Sequence, residues 1–246
     1  YDKYDFAIVE CFLAANTQRA FPDYTFFNGF KAFPVNEIKN AVFRYIKFTG
    51  DFKMNNLEVV NEYEFEQSIF DGIFSCDKVE TIGIGAFRYS VFTGVFECKN
   101  LQTVGDNAFY DSQFNGVFEC PNLQAVGNSA FYDSQFTGDF NCPNLSTVGA
   151  GAFRNSWFNG AFECKNLQTV GGYAFRNNVF KGVFECKNLQ TVGIGAFLNS
   201  VFNGAFECKN LQTVGNAAFR YSVFTGVFNC PNLQTVVNDA FYNSNF

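Results

Sequence analysis

Apolar and polar positions along this chain recur with a fixed period of 22 residues. Three phenylalanine columns, a leucine column and a glycine column keep this step, and the unit reads A-F-x-x-S-x-F-x-G-x-F-x-C-x-N-L-x-x-V-G-x-x. Eight of the nine cysteines follow the same spacing: Cys76, Cys98, Cys120, Cys142, Cys164, Cys186, Cys208 and Cys230. Self-similarity at a fixed period is typical of a solenoid, in which each repeat packs only against its neighbours.

The pattern within each unit predicts a strand followed by a short helical turn. Val95-Phe96-Glu97-Cys98 alternates between outward and inward positions, which is the period of a half-buried strand. Gly94 fits a tight corner entering that strand, and the repeated asparagine at Asn100 predicts a ladder of amides at the bend after it. Segments such as 106–109 offer a polar cap and a helical turn. The predicted fold class is therefore an α/β repeat: a right-handed β-solenoid with a parallel sheet on one face.

The register extends upstream into less regular sequence. Phe43 and Phe65 continue the phenylalanine column that follows alanine, and residues 5–20 can be laid on the same register. We therefore expect a single solenoid of about eleven turns over residues 1–246, with degenerate repeats in 1–64 and regular repeats in 65–246.

The unit resembles the BspA-like (Treponema pallidum type) leucine-rich repeat, whose pattern is I-G-x-x-A-F-x-x-C-x-x-L-x-x-I-x-I-P. The G-x-x-A-F core, the buried strand positions and the proline after the strand match, as in Val126 to Leu145. The chain departs from the family in its period of 22 rather than about 23 residues, in phenylalanine replacing Leu/Ile, and in cysteine on the strand. The resemblance implies a leucine-rich-repeat solenoid that is secreted or cell-surface attached and binds proteins rather than catalysing a reaction.

Composition excludes several classes of function. The chain has no histidine, so sites that need histidine as base or metal ligand are excluded, and its net charge of −6 argues against a nucleic-acid partner. No apolar run approaches the roughly 20 residues of a membrane-spanning helix. No nucleotide-binding glycine loop is present, so we expect no enzymatic activity, no cofactor and no metal.

The cysteine and glutamate columns have competing interpretations. The cysteines alternate with outward residues, which favours buried free thiols over vertical disulfides or a metal site. The outward column of Glu97 and its repeats lies beside Lys99 and its repeats, which favours a solvated lattice of ion pairs over a calcium site.

A variable stripe is our candidate binding surface, because Arg, Tyr and Trp are enriched at interaction hot spots. We place it on the helical side of the solenoid; drift at unconstrained exposed positions is the alternative. Its residues are Arg88, Tyr110, Tyr132, Arg154, Trp157, Arg176 and Arg220.

The ends of the chain suggest a second surface. The C-terminus stops six residues into a unit, and residues 5–20 are the 16 that would complete it in a second molecule. The segment 5–10 is predicted to pair as a strand beside 228–230, with the ninth cysteine near Cys230. An ordinary hydrophobic cap at residues 1–20 and a truncated C-terminus are the alternative. The candidate residues of this end-to-end interface are Phe6, Ile8, Cys11, Phe228, Cys230, Phe241 and Phe246.

Two functions remain after these exclusions. The first is an extracellular structural solenoid that associates with itself head to tail into a filament or surface layer. The second is a cell-surface adhesin that binds a host or matrix protein, or a glycan, through its lateral surface.

Overall fold

The chain winds into a parallel β-solenoid whose coils are 22 residues apart. The computed structural model describes residues 26–31, by their backbone alone, and residues 43–53 and 56–246. Each regular coil carries three strands of two residues, and each strand pairs in register with its equivalent in the coils before and after, as Phe162 does with Phe140 and Phe184. The predicted period and parallel pairing are therefore confirmed.

The strands form two sheets. The larger sheet has 18 strands and begins with two long strands, β1 (Phe26–Lys31) and β2 (Lys47–Lys53). Its first column continues with Ile69–Phe70, Val91–Phe92, Gln113–Phe114, Gln135–Phe136, Trp157–Phe158, Val179–Phe180, Val201–Phe202 and Val223–Phe224. Its second column consists of Phe74–Ser75, Phe96–Glu97, Phe118–Glu119, Phe140–Asn141, Phe162–Glu163, Phe184–Glu185, Phe206–Glu207 and Phe228–Asn229.

The smaller sheet is the third column and has nine strands. They are Val59–Val60, Thr81–Ile82, Thr103–Val104, Ala125–Val126, Thr147–Val148, Thr169–Val170, Thr191–Val192, Thr213–Val214 and Thr235–Val236. Nine strands mark about nine coils in the described residues, slightly fewer than the eleven predicted for the whole chain. Residues 5–20, which fit the same register in sequence, lie outside the described residues.

The predicted helical turns are wrong: the described part of the chain contains no helix. In the segment 84–89 the N–H groups of Phe87 and Tyr89 donate to Ala108 O and Tyr110 O of the next coil, at 2.7 and 2.8 Å. Gly85 and Tyr89 have φ angles of 60° and 62°. A left-handed residue at two positions per coil breaks helical geometry and turns alternate N–H groups towards the neighbouring coil.

The core is built from three stacked columns of phenylalanine. Phe162 is fully buried; its ring stacks between those of Phe140 and Phe184, with centroids 5.0 and 5.1 Å away and planes within 5°. It meets the rings of Phe158 and Phe175 edge to face, at 5.3 and 5.2 Å. Both arrangements suit the quadrupole of an aromatic ring. The phenylalanine rings therefore stack at the spacing of successive coils.

A buried serine column, whose members are the serines of the repeat consensus, joins the coils on the side of the turns. The hydroxyl of Ser134 donates to Phe109 O at 2.7 Å and accepts the N–H of Ser112 at 3.3 Å. Asn178 replaces serine in this column and is fully buried. Its Oδ1 accepts the N–H of Ser156 at 3.1 Å, but its Nδ2 has no hydrogen-bond partner in the described chain.

We expect Asn178→Ser to stabilise the protein by about 1–2 kcal/mol, because it removes a buried donor without a partner and restores the hydroxyl bond made by the other coils. Urea unfolding followed by circular dichroism measures the change. The reciprocal variant Ser134→Asn is the control and should destabilise the protein by a similar amount. Equal stability of Asn178→Ser and the parent chain would contradict this account of the column.

The glycine column at the corner between the first and second strands is required by the close approach of the coils. A Cβ atom added to Gly138 would lie 2.5 Å from Gly116 O and 2.7 Å from Gly116 C. Both are backbone atoms held by the sheet, so they cannot move aside as a flexible side chain could. A Cβ atom added to Gly172, in contrast, would make only an ordinary van der Waals contact, with Ile194 O at 3.5 Å.

The variant Gly138→Ala should destabilise the protein by about 3 kcal/mol, which is at the upper end of the range for overpacked substitutions. The cost is high because the added Cβ atom meets backbone atoms of Gly116. Gly172→Ala is the matched control and should change stability by less than about 0.5 kcal/mol. Thermal unfolding of the two variants side by side gives the comparison. Equal melting temperatures would rule out the close approach of the coils at this corner.

Candidate functional site

The segment 84–89 and its equivalents in the other coils form one side of the solenoid, the turn face. The residue after Ala-Phe in these segments varies among Arg, Tyr and Leu; it is half-buried from Arg88 to Arg220 and exposed at Tyr242. We call six of these residues the arginine–tyrosine row: Arg88, Tyr110, Tyr132, Arg154, Arg176 and Arg220. The structure brings them to one face, as the repeat register predicts.

Each arginine of this row contacts a tyrosine ring, and Arg88 and Arg220 each lie between two such rings. The guanidinium of Arg88 lies 4.7 Å from the ring centre of Tyr89 and 5.0 Å from that of Tyr110. Its Nη2 donates a hydrogen bond to Tyr89 Oη at 2.7 Å. Cation–π contact and the hydrogen bond together fix the orientation of the planar guanidinium.

The same arrangement recurs near the C-terminal end of the described chain. The guanidinium of Arg220 lies 4.8 Å from the ring centre of Tyr221 and 4.9 Å from that of Tyr242, and donates to Tyr221 Oη at 2.9 Å. This hydrogen bond raises the pKa of Arg220. Tyr89, Tyr221 and Tyr242 are missing from the predicted surface, although the repeated Arg-Tyr dipeptide and the next residue in the row could have indicated them.

The middle of the row is also stacked. The rings of Tyr110 and Tyr132 are parallel, with centroids 5.1 Å apart, and the guanidinium of Arg154 lies 5.5 Å from the ring centre of Tyr132. Desolvation, followed by the nearby Asp133, raises the pKa of Tyr110. The row therefore presents neutral phenols and positive guanidinium groups in fixed positions.

Trp157 is the exception, and its predicted place on the helical side is wrong. It begins the strand Trp157–Phe158 and pairs with Gln135 and Val179 in the larger sheet. Its side chain is 58% exposed. Ser156 is buried between the turn segment and this strand, so the chain turns a corner there and carries Trp157 onto the sheet.

The residues of the predicted end-to-end interface fall into two groups. Phe6, Ile8 and Cys11 lie outside the described residues. Phe228, Cys230 and Phe241 are half-buried on the last coil, and Phe246 is 67% exposed while its ring stacks 4.8 Å from that of Phe224.

The thiol column behaves as a core element, as predicted. The seven cysteines from Cys98 to Cys230 are free thiols, and all of them except Cys230 are buried; Cys76 is buried as well. Burial raises the pKa of the Cys230 thiol to about 12. No group of three or more metal-ligating side chains occurs in the described residues.

The outward glutamate–lysine lattice is solvated. Lys99 Nζ lies 3.0 Å from Glu97 Oε1, and Lys187 Nζ lies 2.9 Å from Glu185 Oε1. Hydrogen bonds to these glutamates raise the pKa of both lysines. Exposed pairs of this kind contribute little to stability.

The asparagine ladder is present at the surface. Asn166 Nδ2 donates to Asn144 Oδ1 at 3.1 Å, and Asn122 Nδ2 donates to Lys99 O at 2.8 Å. A cleft lined by Asp139 and Glu163 encloses only about 100 Å³, below the roughly 300 Å³ at which ligand pockets begin. This cleft is therefore too small to hold a drug-sized ligand.

Comparison with known proteins identifies the family. The family model described as a BspA type leucine rich repeat region matches residues 29–93, 58–181 and 139–246. The chain belongs to the BspA-type leucine-rich repeat family. The resemblance inferred from the repeat unit is thereby confirmed.

Comparisons with individual proteins add less than the match to the BspA-type family. No curated protein matches it. The crystal structure of the pneumococcal vaccine antigen PcpA is similar, with 14% sequence identity and a TM-score of 0.43 over 82% of this chain and 68% of PcpA. Within the described residues, no helix is long and apolar enough to cross a membrane.

Proposed function

We propose that this BspA-type repeat protein is a non-catalytic recognition protein, secreted or attached to the cell surface, that binds another protein through its turn face. Its family membership supports a binding role, and the absence of histidine from the sequence removes the commonest acid–base catalyst.

The arginine–tyrosine row is the observation that carries this proposal. Arg and Tyr dominate the binding energy of protein interfaces, and they do so most effectively when little side-chain entropy is lost on binding. The guanidinium groups of Arg88 and Arg220 are already fixed between two rings each. A partner that presents carboxylates or backbone carbonyls would therefore meet ordered donors.

Leucine occupies the same position at Leu198, so the repeat itself provides a tolerated substitution. We expect the double variant Arg88→Leu and Arg220→Leu to fold normally and to lose at least tenfold in affinity for a protein ligand. Surface plasmon resonance against a panel of purified extracellular-matrix proteins, collagen and laminin among them, measures this. Lys99→Leu with Lys187→Leu is the control, because both lysines lie just after strands of the second column. If the double arginine variant binds as tightly as the parent chain, or if no protein of the panel binds, the proposal that the turn face binds a protein is contradicted.

End-to-end association is a second candidate, supported by apolar exposure on the last coil of the described residues. Val227, Val236 and Phe246 are 65%, 51% and 67% exposed there. A coil with uncovered apolar side chains and strand edges favours pairing with another chain. In this arrangement, residues 5–20 of a second molecule would pair beside residues 228–230, and Cys11 would lie near Cys230.

Sedimentation of the chain over a range of concentrations tests this second candidate. Association that disappears on deletion of residues 1–20, or when a charged turn is added after Phe246, would support stacking. A chain that remains monomeric at high concentration would exclude it.

A further inference from the structure

The outward face of the first strand column is almost free of charge. From Val91 to Thr225 the two outward positions of each coil include one ionisable side chain, Lys181. The second column, a few residues along the same coils, carries the glutamate–lysine lattice instead. A neutral face beside a charged one, on a chain of net charge −6, is suited to an uncharged ligand.

Six residues from three successive coils make up the centre of this face, which we call the neutral patch. Gln113, Gln135 and Trp157 are adjacent in the sheet register, and all three are exposed. Asn115, Thr137 and Asn159 lie two residues further along the same coils, on the same face, and are also exposed. None of the six is ionisable.

The amides of the neutral patch are not engaged in ladders, unlike other amides of this solenoid. Asn177 Nδ2 donates to Asn155 Oδ1 at 2.8 Å, and Asn199 Nδ2 donates to Asn177 Oδ1 at 3.1 Å. The side-chain amides of Gln113, Gln135 and Asn159 make no hydrogen bond with the described part of the chain. Each amide therefore offers donors and acceptors to a ligand.

We propose that the neutral patch binds a neutral polysaccharide, with one sugar ring stacked on the indole of Trp157. The face of an indole is electron-rich and attracts the C–H groups on the flat side of a pyranose. The neighbouring amides can both donate to and accept from sugar hydroxyl groups. The Thr137 hydroxyl donates to Asn115 O at 2.8 Å, so it can accept a hydrogen bond from a sugar hydroxyl. This site uses the sheet rather than the arginine–tyrosine row, and it does not depend on the proposed protein ligand.

The geometry of the sheet also suits a linear polymer. Phe136 and Phe158 follow Gln135 and Trp157 in the same two paired strands. Their ring centroids are 4.8 Å apart, which gives the spacing of the two coils. Equivalent side chains therefore repeat along the solenoid at about the length of one sugar unit. Pairing in the sheet fixes the spacing of their Cα atoms before a polymer binds.

Trp157 is the sole tryptophan of the chain, so its fluorescence reports on this site alone. The probes are three neutral polysaccharides (laminarin, amylose and galactomannan), with heparin as the anionic comparison. We expect at least one neutral polymer to shift the emission of Trp157 and to reduce its quenching by acrylamide at least twofold, and heparin to change neither. Affinity electrophoresis in gels that contain the same polymers measures binding independently of fluorescence.

Two variants on the neutral patch use residues found elsewhere in the column. Trp157→Val takes the residue present at Val179, Val201 and Val223, so the strand should form normally. It should weaken polysaccharide binding at least tenfold, and Gln135→Val about threefold. Arg154→Leu, on the turn face, should bind polysaccharide like the parent chain, which separates this site from the proposed protein-binding surface.

Three results would overturn the proposal. The first is that no neutral polymer changes the fluorescence of Trp157 or retards the protein in affinity electrophoresis. The second is that Trp157→Val is retarded as strongly as the parent chain. The third is that heparin or a matrix protein changes the fluorescence of Trp157 and no neutral polymer does.

Discussion

Above about pH 9 the stability of this protein is expected to fall steeply. Burial raises the pKa values of five thiols well above the usual value for cysteine. A thiolate in the core would lose its hydration, so the neutral thiol is favoured there. These thiols belong to Cys120, Cys142, Cys164, Cys186 and Cys208. In the unfolded chain the same groups ionise near pH 8.5. Their stabilising effect is therefore complete below that pH and is lost as the pH rises, since only the unfolded chain releases protons.

Once the unfolded thiols are fully ionised, about one pH unit above 8.5, each contributes a slope of about 1.4 kcal/mol per pH unit, and five give about 7 kcal/mol per pH unit. That is comparable with the whole stability of an ordinary domain, so most of the stability should be gone by about pH 10. Urea unfolding at several values between pH 8 and pH 10, with a phosphine reductant present, measures the slope.

The double variant Cys142→Ala and Cys164→Ala is the control for other groups that titrate in this range. Its slope should be shallower by about 3 kcal/mol per pH unit. An unchanged slope would mean that these two thiols are not buried as free groups in the folded protein. Alkylation in denaturant without reductant should modify most of the cysteines from Cys76 to Cys230, which tests independently that they are unoxidised.

Replacement of Phe162 by alanine is expected to destabilise the protein by about 3–5 kcal/mol. The ring is fully buried and packs against rings of the coil before, its own coil and the coil after. Because these neighbours are themselves held in stacks, they cannot collapse into the space that the variant leaves. The midpoint of urea unfolding, followed by circular dichroism, gives the change.

Phe246→Ala is the matched control, since it removes the same side chain from a ring that is 67% exposed. It should destabilise the protein by less than about 1.5 kcal/mol, because most of its surface already contacts water. Equal effects of the two variants would contradict an in-register aromatic core at Phe162.

The repeated pattern by itself is sufficient to predict several features of the fold. A residue that recurs every 22 positions must meet its own copies, so buried phenylalanine and cysteine columns and outward glutamates follow directly from the period. Phe162, Cys164 and Glu163 lie as that reasoning places them. The arginine–tyrosine row follows as one stripe for the same reason.

Only the tertiary structure decided where the backbone hydrogen bonds go. The segment 106–111 carries cap and turn residues that suit a short helix, but Asn107 and Asp111 adopt positive φ and bond to the next coil. That choice depends on the neighbouring coil, which local sequence does not describe. The packing of neighbouring coils also places the corner at Ser156, so that Trp157 lies on the sheet. In the next coil Asn178 occupies the equivalent buried position in the serine column. A period determines which residues meet, whereas the packing of neighbouring coils determines which atoms bond and which faces reach the solvent.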